Sequence, residues 1–158
     1  MLDDIVIDAN ILLHAENQQE ERRPSCQSLL KVLLSGTTKI CVDEGFAIEE
    51  SRNRSHIGSE YIKHLRFGSP SYAVIVHLFS SSRIKICTKK VKQEISKKIN
   101  QQVGSKPDRV YIRVACNSLD KLLVSHDFGD IPQTVRDRLN KQIRVTIVEA
   151  KQALDRIQ

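Results

Sequence analysis

A chain of 158 residues, 40% hydrophobic and 28% charged, suits one globular domain with a sizeable core and shows no repeat or low-complexity tract. Lys and Arg number 25 against 19 Asp and Glu; the formal charge of +6 favours a polyanionic partner through steering. Tryptophan is absent and aromatics are only 4%, so Leu, Ile and Val must carry the core, and no aromatic platform for base stacking is offered.

The four cysteines, Cys26, Cys41, Cys87 and Cys116, form no C-x-x-C pair, and no histidine spacing points to zinc. They are expected to be reduced thiols of a cytoplasmic protein. The acidic start Met1-Leu2-Asp3-Asp4 does not read as a signal peptide, and no stretch is apolar enough to span a membrane.

Ile5-Val6-Ile7 is a β-branched run ending at Asp8, followed at once by Ile11-Leu12-Leu13. Ser25 is the expected cap of a helix carrying Leu29, Leu30, Leu33 and Leu34 on one face, stopped by Gly36. Residues 39–42 read as the second strand, and a helical stretch is expected through Ala47, Ile48 and Ser51, with Asp43 as its cap. Residues 55–67 and 70–79 read as helices separated by Gly68-Ser69-Pro70. Residues 83–88 alternate as a half-buried strand. A basic helix is expected over 89–99, a loop at 104–107, and a helix over 108–117. Leu122-Leu123-Val124 is a buried strand leading to Ser125-His126-Asp127; a helix over 132–139, a strand over 144–148 and a helix over 150–157 complete the chain.

Strands alternating with helices predict an α/β fold, a three-layer α/β/α sandwich around a central parallel sheet. In such sheets ligands lie outside the carboxyl ends of the strands. Asp8 ends the first strand and Asp127 ends the strand at 122–124, with Asp130 three residues on and Asp108 at the start of the preceding helix. Singly, each acid has an ordinary role: Asp108 complements a helix dipole, Asp130 forms a turn, and Asp8 bonds nearby amides. Together they describe a crowd of like charges that a hard cation would relieve.

These residues resemble the PIN-domain family of nucleases. Ile5-Val6-Ile7-Asp8-Ala9-Asn10-Ile11-Leu12-Leu13 looks like that family's opening strand and D-x-N signature, and Lys121 to Asp130 looks like its late strand and final acids. The resemblance covers residues 1–158 as a single PIN-like domain in order of elements, but its specific part is about a quarter of the chain. It implies a metal-dependent endoribonuclease with Asp8, Glu50, Asp108 and Asp127 as catalytic acids. Asp8, Asp108, Asp127 and Asp130 would hold Mg²⁺ or Mn²⁺, with Asn10 and Ser125 in support. Glu50 is the preferred second acid, on the helix expected after the second strand, and Glu49 is the alternative. Arg52 and Arg54 would contact RNA; further basic residues lie at 22–23, 89–98 and 136–144. His126 is either a general base or, more often for such a residue, structural.

The small size suits a VapC-type toxin of a toxin–antitoxin pair, whose relatives commonly take an antitoxin partner and form homodimers. Two other readings stand beside this one. An inactive PIN scaffold would bind RNA or a partner protein without cutting. A Mg²⁺-dependent phosphotransferase of another Rossmann-like class would want an acid where Asn10 stands.

Overall fold

The β-branched runs become the strands of one sheet, seen in a computed structural model that describes residues 1–158 except residue 66. In chain order the elements are β1 (Asp4–Ile7), α1 (Ala9–Glu16), α2 (Arg23–Ser35), β2 (Lys39–Val42), α3 (His56–His64), α4 (Pro70–Ser80), β3 (Ile84–Ile86), α5 (Gln93–Gln102), α6 (Lys106–Cys116), β4 (Leu122–Val124), α7 (Gln133–Ile143), β5 (Thr146–Val148) and α8 (Ala150–Ile157). All strand pairings are parallel, in the order β3-β2-β1-β4-β5. Helices pack on both faces: α1, α2, α4 and α8 contact one another on one side, and α5, α6 and α7 on the other, making an α/β/α sandwich. Ile5, Val6, Ile7, Leu123 and Val124 are wholly buried, as expected for strands covered twice.

The strand order reverses beside β1. The chain steps from β1 outward to β2 and β3, then returns to lay β4 on the other side of β1. This is the switch point of a doubly wound sheet, where two connections diverge and leave a crevice at the carboxyl ends. Asp8 continues the pairing of β1 with β4, its N–H donating to the Val124 carbonyl at 3.0 Å.

Several expected boundaries move, each for a visible reason. Helix α2 begins at Arg23, with Pro24 in its first turn, so Ser25 lies inside the helix and caps nothing. Residues 47–51 are not helical. Gly45 has φ 84°, and the Arg54 N–H donates to its carbonyl at 2.8 Å, closing an irregular loop. Asn53 holds that loop from inside, accepting from the Ala47 N–H at 3.2 Å and donating to the Ser55 carbonyl at 3.0 Å.

Asp43 therefore caps α3 instead, accepting from the backbone N–H groups of His56 at 2.7 Å and Ile57 at 2.9 Å. The helix expected over 55–67 ends at His64, and its position 66 lies outside the described residues. Helix α5 starts at Gln93 rather than residue 89. The Lys89 N–H is taken by Glu44, and Asn117 Nδ2 donates to the Thr88 and Lys90 carbonyls. Helix α7 runs on to Ile143 and stops at Arg144, which adopts a left-handed φ of 62°. Among the described residues no helix is long and apolar enough to cross a membrane.

Candidate metal centre

Asp8 sits where β1 turns into α1, because an acid at a strand end can cap the helix that follows. Its Oδ1 accepts from the Asn10 N–H at 3.2 Å, and its Oδ2 accepts from the Ser125 hydroxyl at 2.8 Å. The ordinary role and the functional one thus fall on the same carboxylate. Ser125 follows β4, and its Oγ also accepts from the Asp127 N–H at 3.1 Å. One hydroxyl therefore couples the ends of the two strands on either side of the crevice. Asn10 reaches across as well, its Oδ1 accepting from the His126 N–H at 3.3 Å.

Asp127 and Asp130 are set by the turn after β4. The Asp130 N–H donates to Asp127 Oδ1 at 3.0 Å. Arg136 fixes this turn from beneath. It is 2% exposed, lies 3.9 Å over the Phe128 ring, and donates to the carbonyls of Ser125, Asp127 and Ile131 at 2.8–3.1 Å. A residue expected among the phosphate-binding cations of 136–144 is instead an internal brace.

Asp108 reaches the same rim because a helix between parallel strands runs back against them, so its start lies at their carboxyl edge. Ser105 caps α6 by accepting from the Asp108 N–H, and Pro107 occupies the first turn. One carboxylate oxygen each from Asp108, Asp127 and Asp130 lie within 4.8 Å of one another. Burial pushes the Asp108 carboxyl up to about 7, assisted by the charges of Asp127, Asp8 and Asp130 and opposed by its bond from Ser105. Burial also raises Asp8, with further pressure from Asp127 and Glu60. The donor set is all oxygen and mutually repelling, so it fits a hard divalent cation; exposed acidic groups also occur without one.

Glu50 is not brought to this group. It is exposed on the 48–52 turn with Glu49 and lines a surface depression with Ile62, Leu65 and Tyr72. Glu60 on α3 is near enough for its charge to raise the Asp8 carboxyl, after the larger effects of burial and Asp127. His56 and His64, one turn to either side, hold Glu60 at 3.5 and 3.3 Å. Glu60 lies on the first helix after β2, inside the helix expected over 55–67, and is not singled out by the sequence because the resemblance points to Glu50. Two tyrosines fix the floor: the Tyr111 hydroxyl accepts from the Ala9 N–H at 3.3 Å, and the Tyr61 hydroxyl donates to the Ile7 carbonyl at 2.5 Å.

Arg52 pairs with Glu49 at 3.3 Å and Arg54 bonds loop carbonyls; both are exposed and neither touches the carboxylates. Arg109, next to Asp108, is turned to the Val103 carbonyl at 2.6 Å, and Lys106, two residues before Asp108, is exposed in the first turn of α6. His126 is buried with Nε2 accepting from the Ala150 N–H at 3.1 Å, and burial lowers it to about 4. Its ring is a structural link rather than a base aimed at the rim. The deep depression between α1, α2 and α4, about 520 Å³, is lined by Glu16, Arg23, Leu30 and Leu34, not by the clustered acids. Comparison of the chain with protein-family models and with curated proteins finds no match to either.

Proposed function

We propose that this chain is a PIN-like, Mg²⁺- or Mn²⁺-dependent endoribonuclease acting through the carboxylates at the β1–β4 rim. The observation that carries the reading is the meeting there of Asp108, Asp127 and Asp130 within 4.8 Å, with Asp8 tied to Asp127 through Ser125 and Asp108 pushed up to about 7 by burial and like charge. Asp108, Asp127 and Asp130 would hold the cation, with Asp8 beside them and Glu60 in the place given to Glu50 from sequence. A bound divalent cation supplies charge neutralisation at the scissile phosphate and lowers the pKa of coordinated water.

The chain's own residues do the rest. Ser125 and the Asn10 amide orient Asp8, and Arg136 fixes the turn that presents Asp127. Lys106 and its basic neighbours supply phosphate contacts without base readout, in keeping with the scarcity of aromatics. The open rim suits an extended polymer better than an enclosed small molecule.

The reading extends to a cytoplasmic toxin restrained by an antitoxin and acting as a homodimer. Four free thiols favour that compartment, and toxic overexpression relieved by a small co-expressed partner would support the role. The enzymatic proposal is tested by cleavage of single-stranded and structured RNA with Mg²⁺ or Mn²⁺. Wild type is expected to cut, and Asp8→Asn and Asp127→Asn to lose activity by about two orders of magnitude or more while keeping the fold. RNA binding without cutting under both metals would overturn it in favour of an inactive scaffold.

A further inference from the structure

One residue before Asp127, in a group distinct from the clustered carboxylates, three side chains from separate elements meet: His14 of α1, Cys26 of α2 and His126 after β4. His14 Nδ1 and His126 Nδ1 are 2.8 Å apart, and Cys26 Sγ is 3.9 Å from His126 Nδ1. The spacing of these residues along the chain, 12 and then 100, leaves no local motif.

We propose that His14, Cys26 and His126 form a binding site for a thiophilic divalent cation of the Zn²⁺ class, separate from the carboxylate group. Two imidazole nitrogens and a thiolate are a borderline-soft donor set, which selects such ions over Mg²⁺. Zinc at about 2.0–2.1 Å from nitrogen and 2.3 Å from sulfur requires the two nitrogens to part by roughly half an ångström and the sulfur to close by a few tenths. A second observation points the same way. The outer nitrogen of His14, Nε2, lies 3.5 Å from Glu20 Oε2, the carboxylate–histidine arrangement that steadies metal-bound imidazoles. Cys26 and His126 are buried, while the His14 side chain is 20% exposed and gives an entry path. Water takes the fourth position.

The proton count follows from the partners. Without metal, His126 Nε2 accepts from the Ala150 N–H, so its proton is on Nδ1 and bridges to His14. Coordination displaces that proton to Nε2 and releases the thiol proton, one per cation. The Ala150 N–H at the start of α8 then loses its acceptor, so binding loosens that amide.

The test is titration of the metal-free protein with Co²⁺, followed by Zn²⁺. One Co²⁺ per chain, beyond any taken up by the carboxylates, is expected to give a near-ultraviolet thiolate-to-cobalt charge-transfer band that Zn²⁺ abolishes, with one proton released as the band grows and faster hydrogen exchange at Ala150. Cys26→Ser should remove the band, and Glu20→Gln should weaken binding about tenfold. Absence of the band at saturating Co²⁺, or a band that survives Cys26→Ser, would overturn the site. If Cys26→Ser does not fold, His14→Gln decides: a loss of about tenfold or more in affinity supports the site, and unchanged affinity overturns it.

Discussion

Asp108 shows how one side chain can be costly alone and useful in company. Its folded carboxyl titrates at about 7 against an ordinary 3.8, chiefly because it is buried. A raised carboxyl means that the folded state holds a proton the unfolded chain has already released. The metal-free protein should therefore lose stability as pH rises from about 4 through 7. Asp108→Asn should remove most of that slope and raise the metal-free Tm at pH 8; thermal melts in chelator at pH 5 and pH 8 measure it. An unchanged slope would show that Asp108 is not under this pressure. Arg136 makes the opposite case, a charge retained in the core by three carbonyl acceptors and an aromatic face. Arg136→Ala leaves those carbonyls without their donor and is expected to cost roughly 3 kcal/mol or more, read by denaturant unfolding. A loss below about 1 kcal/mol would mean that water replaces the guanidinium.

At the level of elements, the strands that present the acids were legible. Ile5-Val6-Ile7 and Leu122-Leu123-Val124 are short, apolar and bounded by polar residues, and no competing pattern obscures them. The start of α6 was legible too, from Ser105 and Pro107, but its place at the rim required the direction of the helix against the sheet. Residues 47–51 misled because Ala-Ile-Glu-Glu has good local helix propensity. The loop wins through contacts made elsewhere in the chain: Gly45 in a left-handed conformation, Asn53 bonding inward, and Asp43 drawing the next helix start to itself. Gly58 completes this arrangement, since a Cβ there would lie 2.3 Å from Asn53 Oδ1. For the same reason Glu50, and with it Arg52 and Arg54, lies on this exposed loop rather than beside the clustered carboxylates. Asp43→Ala should free the amides of His56 and Ile57 and cost about 2 kcal/mol. Because α3 carries Glu60, the same change should weaken metal binding, which calorimetric titration would detect; unaltered affinity would separate α3 from the site.

Across the whole molecule, the two ends of the sheet treat acids differently. Asp4, at the amino end of β1, is fully buried; burial opposes its charge, but Lys85 at 2.6 Å and the amides of Leu119 and Asp120 outweigh it and lower its carboxyl. Its contribution is present above about 3.8 and is lost as pH falls further, through the lowered folded value. The carboxyl end carries the raised acids Asp8 and Asp108. Metal-free stability should therefore peak in the weakly acidic range, falling below pH 4 at one end of the sheet and toward pH 8 at the other. A cation that neutralises the rim should flatten the alkaline side. At a hundred times its Kd it contributes about 2.7 kcal/mol, roughly 5–10 °C in Tm for a chain of this size.

The most direct measurement counts Mn²⁺ at the rim by the loss of the free-ion paramagnetic resonance signal, in wild type, Asp108→Asn and Glu50→Gln. Mn²⁺ should bind wild type competitively with Mg²⁺, bind Asp108→Asn at least about tenfold more weakly, and bind Glu50→Gln as tightly as wild type. Equal binding by wild type and Asp108→Asn would contradict a shared cation at the β1–β4 rim.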